Sequence, residues 1–457
     1  MARTAARLRE GARITDYISL GVVSRAIPLA TVQAVLAETG RASQRQRELP
    51  AQVVVYYVIA LALFLPVSCG EVLRCVLEGL RWLWDPARPV KVTGKSGISQ
   101  ARTRLGWEAV QRLHGRVVGP VAQRQTRGAW YRQWRLITLD GSTLDVADTR
   151  ANDTAFGRYH GPRGPAAFPQ LRFVSLVESG THVLFGSVLG PYATGEVTLA
   201  YQAVQALQPG MLCLADRLFV GFPLWEQAHA TGADLLWRAR LDLRLPCRQR
   251  LPDGSYLSRL YRPKASRQDP RHWQPVRVIE YTLEGAPDAE PCYRLLTTIL
   301  DPAQAPAADL AALYQERWEI ETSLDELKTH LRGHHLVLRS KTPDLVRQEF
   351  YGLMLAHFAV RGLMHEAALA ADEDPDRLSF VHSVRVVRRQ VARFPAFSPS
   401  APENLPSGGP GRDSGGTGRV QSRSAPPARS EEEDEPLSRA PLPCPAVVAG
   451  DDPRPDC

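Results

Sequence analysis

The sequence is 457 residues long, which is enough for two or three domains with sizeable cores. Its longest apolar run covers residues 53–65 and is shorter than the roughly 20 residues that span a bilayer, which argues against a membrane protein. The seven cysteines are scattered without zinc-ligand spacing, so we expect a reduced protein of the cytoplasm without structural zinc. Before residue 395 the chain carries 50 basic and 38 acidic residues, and this excess favours a polyanionic partner.

Residues 1–125 have the pattern of helices separated by proline or glycine. The predicted helices cover 14–23, 29–36, 50–65, 71–83 and 99–118. Arg102 and Arg104 lie on a short basic segment that follows a glycine-containing turn. Such a segment is typical of the recognition helix of a helix-turn-helix, and equally of an ordinary surface helix. We therefore predict a helical N-terminal domain that binds DNA, and we leave open whether this segment reads the DNA sequence.

Residues 126–240 instead have the short apolar runs of strands. The predicted strands cover 135–140, 171–177, 182–189, 211–216 and 235–241, with helices at 197–207 and 222–230 between the last three of them. With right-handed crossovers this order gives an α/β fold, a mixed sheet flanked by helices, as in ribonuclease-H-like folds. Asp140 closes the first strand and Asp216 the fourth, so we expect their carboxylates to lie close together on adjacent strands.

The second half of the chain adds an insertion, two helices and a tail. Residues 245–305 predict a β-rich insertion, with strands at 254–261, 275–284 and 292–300. Within it, Trp273 is expected to be buried rather than to stack on an unpaired base. Helices predicted at 345–371 and 379–393 complete a domain of residues 126–393. The remaining residues, 394–457, are rich in proline, glycine and serine, which predicts a disordered tail.

The stretch from Tyr314 to Lys328 contains no glycine or proline and predicts a helix. At about 100° per residue, its residues Tyr314, Arg317, Glu321 and Lys328 fall within about 60° of one another, on one face. A face of this composition suits a surface that holds a metal ion beside a phosphate backbone. A solvated face laced with ion pairs has the same composition, so the stretch alone leaves both interpretations open.

Three acids are the candidate catalytic and metal-binding residues: Asp140, Asp216 and Glu321. Clustered carboxylates raise one another's pKa, and a divalent cation removes that cost. Their hard oxygen atoms suit Mg²⁺, and two such ions about 3.5–4 Å apart serve an in-line displacement at phosphorus. Simpler roles are a turn residue for Asp140 and a helix cap for Asp216. Asp145 and Asp148 are weaker candidates because they are expected beyond the strand end.

The spacing Tyr314-x2-Arg317-x3-Glu321-x6-Lys328 resembles the signature of the insertion sequence 4 family of DDE transposases. The residues 140–144, followed by 152 and 156–157, are similar to the block around the first aspartate of that family. The residues 215–219 are similar to the block around its second aspartate, and the family also has a β-strand insertion before the glutamate. The resemblance covers roughly residues 10–393.

The resemblance implies that the three acids are the metal-binding triad and that Tyr314, Arg317 and Lys328 contact DNA phosphates. It also implies cut-and-paste transposition of an insertion sequence, in which a phosphodiester at the element's end is hydrolysed and the freed 3′-hydroxyl attacks a second phosphodiester. We expect two Mg²⁺ ions, for which Mn²⁺ can substitute. The expected partners are the element ends, target DNA and a second copy in a homodimer, without a membrane, in the bacterial cytoplasm and associated with the nucleoid.

Two alternatives differ from this interpretation in their products. A hydrolysis-only nuclease of the same fold cuts DNA without joining it. A catalytically inactive DNA-binding remnant of a transposase binds DNA without a metal requirement. The intact set of three acids argues against the inactive remnant, whereas the polar tail, which does not resemble the basic C-termini common in the family, argues for it.

Overall fold

The structure is a computed structural model of the whole chain. It describes residues 23–44, 49–64, 67–84, 93–162, 164–264, 269–283, 290–315, 323–324, 326–331 and 337–389, together with the residue pairs 7–8, 12–13 and 447–448. The predicted helix 14–23 lies outside these residues except for its last residue. The predicted tail, 394–457, lies outside them except for Val447–Val448, which pairs with Thr282 and Leu283.

Helices dominate the described residues before the sheet, and five of them, each of ten residues or more, lie in regions where the periodicity predicts helix. They are α1 Leu29–Glu38, α2 Ala51–Leu63, α3 Cys69–Trp84, α4 Lys95–Leu105 and α5 Glu108–Val117. The single helix predicted at 99–118 is wrong, because Gly106 has a φ of +73° and ends α4 in a conformation that glycine adopts without strain. Helix α2 is apolar around its whole circumference, and its residues are correspondingly buried on every side.

Arg102 is a buried residue that stabilises the fold and is not exposed on the surface of α4. Its side chain is 7% exposed and donates hydrogen bonds to Gln348 Oε1 at 2.8 Å, to Ser340 Oγ at 3.0 Å and to the Leu345 carbonyl at 3.0 Å. Arg104, two residues later on α4, is exposed. The prediction that this segment reads DNA therefore stays open for Arg104 and loses its support for Arg102.

The central sheet has the strand order of a ribonuclease-H-like fold, as predicted. Its longer strands are β1 Trp134–Asp145, β2 Gln170–Glu178, β3 Val183–Pro191, β4 Met211–Ala215 and β5 Asp234–Ala239. The spatial order is β3-β2-β1-β4-β5, in which β4 runs parallel to β1 and β5 parallel to β4. Strands β1, β2 and β3 pair antiparallel.

The predicted insertion strands are present as β6 Tyr256–Tyr261, β7 Trp273–Leu283 and β8 Tyr293–Thr297. They do not form a sheet of their own: β8 pairs antiparallel with β5, and β7 and β6 follow in turn. The insertion strands thus extend the central sheet, which has eleven strands within the described residues, two-residue strands included. Trp273 is half-buried rather than buried, with the Arg259 guanidinium 3.7 Å from the centre of its ring.

Helices cover both faces of the sheet. They are α6 Arg150–Phe156, α7 Glu196–Ala203, α8 Phe222–His229, α9 Ala307–Gln315, α10 Pro343–Ala371 and α11 Phe380–Arg389. Successive side chains of β1 and β4 point to opposite faces of the sheet. Leu136 and Leu214 belong to one apolar cluster together with Leu310 of α9. Their neighbours Ile137 and Ala215 belong to another, larger apolar cluster.

Helix α10 joins the N-terminal helices to the sheet. Met354 of α10 lies 3.8 Å from the Ser187 hydroxyl on β3, and Gly352 lies against α2 so closely that a Cβ there would come within 2.7 Å of Val58. Residues of α1, α2 and the sheet accordingly belong to one apolar cluster. No helix in the described part of the chain is long and apolar enough to cross a membrane.

Candidate active site

The register of β1 and β4 brings Asp140 and Asp216 together. Leu139 pairs with Ala215 on these parallel strands, so the two aspartates take the next pair of positions. Residues at matched positions of neighbouring strands point to the same face, and the strands are about 4.8 Å apart. Asp140 also pairs with Ser175 of β2, whose hydroxyl lies on the side of α10. Both aspartates are half-buried on the face that α9 and α10 cover.

Asp140 does not close its strand, and this prediction is wrong. Strand β1 leaves its parallel partner after Leu139 but remains paired with β2 as far as Asp145, opposite Gln170. Asp140 is therefore not a turn residue. Asp145, which was expected beyond the strand, is its last residue and accepts a hydrogen bond from the Gln170 amide at 2.8 Å. Asp148 is engaged away from the site, in an ion pair with Arg158.

Backbone N–H groups orient both carboxylates. Oδ1 of Asp140 accepts a hydrogen bond from the N–H of Gly141 at 2.7 Å, and Oδ1 of Asp216 accepts one from the N–H of Arg217. Asp216 does not cap the following helix, because α8 begins only at Phe222. The simpler role considered for Asp216 is therefore excluded.

Helix α9 is fixed to the strand that precedes Asp216. Tyr314 is 4% exposed, and its hydroxyl donates a hydrogen bond to the Ala215 carbonyl at 3.1 Å. The neighbouring Gln315 donates from its side-chain amide to the Tyr281 hydroxyl at 2.8 Å. Tyr314 thus packs against the sheet beside the aspartates. Two further predicted site residues, Arg317 and Glu321, lie outside the described residues.

The last three residues of the helix predicted from Tyr314 to Lys328 are π-helical rather than α-helical. Among the described residues, α9 covers Ala307–Gln315, residues 323–324 are helical, and residues 326–331 form a π-helix in which Lys328 is half-buried. The wider turn of a π-helix changes the angular positions on which the predicted stripe depends. It also lets the adjacent residues Glu326 and Leu327 both be buried, the first in an ion pair with Arg361 of α10.

Arg238 is a site residue that the sequence analysis missed. Trp237 of β5 pairs with Ala215, so Arg238 lies next to Asp216 in the same row across the sheet. Its Nη2 lies 2.6 Å from Oε2 of Glu290. Burial opposes the charged form of Arg238, but Glu290 and, more weakly, Tyr314 and Asp216 raise its pKa. The signal in the sequence that could have indicated Arg238 was a single arginine between the apolar residues Trp237 and Ala239.

The donor set of the site fits a hard divalent cation. Asp140 and Asp216 supply carboxylate oxygens from adjacent strands, and such oxygens are the ligands that Mg²⁺ prefers. Within the described residues, no group of three potential ligands is close enough to hold a metal ion. The predicted third ligand, Glu321, is not among those residues.

Two family models match the chain. Residues 17–115 match the insertion element 4 transposase N-terminal region, and residues 133–359 match the transposase DDE domain. The chain belongs to the insertion sequence 4 family of DDE transposases. This transposase is accordingly an enzyme that binds and recombines DNA, and DDE domains in general use divalent metal ions.

Relatives in Escherichia coli (strain K12) agree with this membership. The transposase InsG for insertion sequence element IS4 is 29% identical over 396 residues, which are 84% of this transposase and 84% of that protein. The putative transposase InsZ is 24% identical over 213 residues, 46% of this chain and 68% of that one. Among solved structures, the piggyBac transposase synaptic complex with hairpin DNA has a TM-score of 0.40 at 12% identity, covering 85% and 82% of the two chains, a likeness too low to add to the assignment.

Proposed function

We propose that this transposase moves an insertion sequence by a cut-and-paste route, with hydrolysis and strand transfer at one site. The observation that carries the proposal is the register of β1 and β4, which gives Asp140 and Asp216 neighbouring positions on one face. The basic excess of the chain before residue 395 supports DNA as the substrate. An element has two ends to be cut, so a homodimer with one copy at each end is the simplest active complex.

In this proposal Asp140, Asp216 and Glu321 hold two Mg²⁺ ions, which Mn²⁺ can replace. When bound, such a pair activates the attacking oxygen and stabilises the leaving oxygen of an in-line displacement. Arg317 and Lys328 bind phosphate oxygens and so hold the reacting phosphodiester in line. Tyr314 acts through its hydrogen bond to Ala215, which fixes the end of α9 beside the aspartates.

The two steps use one arrangement of residues. First, water attacks a phosphodiester at the element's end, and the bond to the 3′-oxygen breaks, which frees a 3′-hydroxyl. That hydroxyl then attacks a second phosphodiester, in the opposite strand or in target DNA, and a new phosphodiester replaces the one that breaks. Catalysis by the protein is therefore mainly positioning and charge stabilisation. The substrate is bacterial DNA, so we expect the protein at the nucleoid.

The experiment uses a plasmid that carries the gene with its flanking DNA, incubated with the purified protein and Mg²⁺. We expect the wild-type protein to give both cut and joined products. Asp140→Asn and Asp216→Asn should give neither but still bind the DNA, and should melt without metal at the wild-type temperature or slightly above, because a clustered charge is removed. Asp145→Asn, at the end of the same strand, is the matched control and should retain cleavage.

The outcomes separate the candidate functions. Cut DNA without joined products would identify a nuclease, and binding without any cleavage by the wild-type protein would identify an inactive remnant. Full cleavage by Asp140→Asn or Asp216→Asn would refute the catalytic assignment. A large loss of stability in these variants without metal would instead make the carboxylates structural.

A further inference from the structure

Two arginines flank Asp216, and one carboxylate holds both. Arg217 follows Asp216 in the chain, and Arg238 lies beside it on β5. Glu290, just before β8, contacts Arg217 Nη1 through Oε1 at 3.2 Å and Arg238 Nη2 through Oε2 at 2.6 Å. The Arg238 guanidinium also lies 4.8 Å from the ring centre of Tyr293, which limits how it can turn.

The arrangement matches a phosphodiester as well as a carboxylate. Both anions carry one negative charge and present two free oxygens, and the planar fork of arginine binds either through paired hydrogen bonds. Glu290 uses one oxygen for each arginine, as the two free oxygens of a DNA phosphate would. A phosphate beside Asp216 would therefore find the same two donors.

The contacts of Glu290 are of the kind that another anion displaces. Its side chain is 37% exposed and that of Arg217 is 54% exposed, so water and salt screen this pair, whereas Arg238 is 18% exposed and its attraction to Glu290 is screened less. An exposed ion pair such as that of Glu290 with Arg217 changes an equilibrium constant by no more than about fivefold. Hydrogen bonding from Arg238 and the charges of both arginines nevertheless hold the pKa of Glu290 below its usual range, so this carboxylate is charged at neutral pH.

We propose that Arg217 and Arg238 form a binding site for a DNA phosphodiester beside Asp216, and that Glu290 occupies this site until DNA displaces it. The inference rests on the proposed function, because it takes the phosphate next to Asp216 as part of the substrate. DNA that does not place a phosphate at this point therefore leaves Glu290 bound to both arginines.

The chain contains a closely matched control pair. Glu280 of β7 contacts Arg294 of β8 at 2.8 Å, and the two side chains are 37% and 18% exposed, the same fractions as Glu290 and Arg238. Arg294 pairs with Ala239 in the sheet and lies one position from Leu295, so it points to the face opposite Arg238. Replacement of Glu280 thus removes the same charge from the same kind of ion pair, away from Asp216.

The test measures the affinity of the full-length protein for a labelled DNA fragment that flanks the gene, with chelator present so that no cleavage occurs. Glu290→Gln should bind about two- to thirtyfold more tightly than wild type, the range for two ion pairs that each change an equilibrium constant by up to about fivefold. Glu280→Gln should bind within about twofold of wild type. Addition of Arg217→Ala to Glu290→Gln should remove most of the gain.

Three results would overturn the proposal: equal affinities of Glu290→Gln and wild type, an equal gain in Glu280→Gln, or a gain that survives Arg217→Ala. A lower melting temperature of Glu290→Gln with unchanged affinity would make the ion pairs purely structural. Failure of the proposed function would be seen in a different experiment, as cleavage by Asp216→Asn. The binding measurements with chelator do not depend on cleavage.

Discussion

Replacement of Arg102 by alanine tests whether helix α4 serves the fold or reads DNA. The substitution removes a buried guanidinium that donates three hydrogen bonds to Gln348, Ser340 and the Leu345 carbonyl. Hydrogen bonds from charged donors contribute about 1.5–3 kcal/mol each, and removal of one member of a buried charged network costs about 3–5 kcal/mol after relaxation. We expect a loss of about 3–5 kcal/mol, a large part of the total stability of a typical protein.

The assay is thermal unfolding together with DNA binding at a temperature where each variant is folded. A loss of this size should lower the melting temperature by about 5 °C, given an unfolding entropy of about 2 cal/mol/K for each ordered residue. Arg104→Ala is the matched control: it removes an exposed arginine from the same helix and should leave the melting temperature unchanged. Normal stability of Arg102→Ala combined with weaker DNA binding would refute this reasoning and restore Arg102 as a recognition residue.

Three further predictions concern other residues. Burial lowers the pKa of His114 to about 4, so the unfolded chain binds a proton first as the pH falls below about 6.5. His114 should therefore contribute a loss of about 2 kcal/mol between pH 8 and pH 5, and His114→Gln should lower the pH dependence of stability by this amount in denaturation experiments. Tyr314→Phe should lower stability by about 1 kcal/mol and slow cleavage, while the salt dependence of DNA binding stays at its wild-type slope; a shallower slope would show a phosphate contact instead. Arg317→Ala and Lys328→Ala should each reduce that slope by about 0.9, and wild-type affinity and slope would assign both residues to the fold.

The strand order of the sheet was predictable because it depends on local signals. Short apolar runs separated by turns gave the positions of β1 to β5, and the handedness of crossovers restricted their order. The pairing of β1 with β4 follows from that order, which is why Asp140 and Asp216 were expected on adjacent strands. The length of β1 was not predictable, because the residues after Asp140, Gly-Ser-Thr, have the composition of a turn. Only their pairing with β2 keeps them extended.

The parts of the site that the sequence missed depend on contacts between distant residues. The place of Arg238 beside Asp216 is set by the register of β5 against β4, which no local pattern encodes. The π-helix buries Glu326 against Arg361, a partner 35 residues away. Helical periodicity assumes 3.6 residues per turn throughout, so it could not show where the turn widens.

The continuity of the sheet from β1 and β4 into the insertion fixes the position of the insertion relative to the aspartates. Three strand spacings separate β4 from β7, by way of β5 and β8, which is about 14 Å at about 4.8 Å per spacing. Backbone hydrogen bonds join each of these strands to the next, so β7 keeps its position relative to β4 and Asp216.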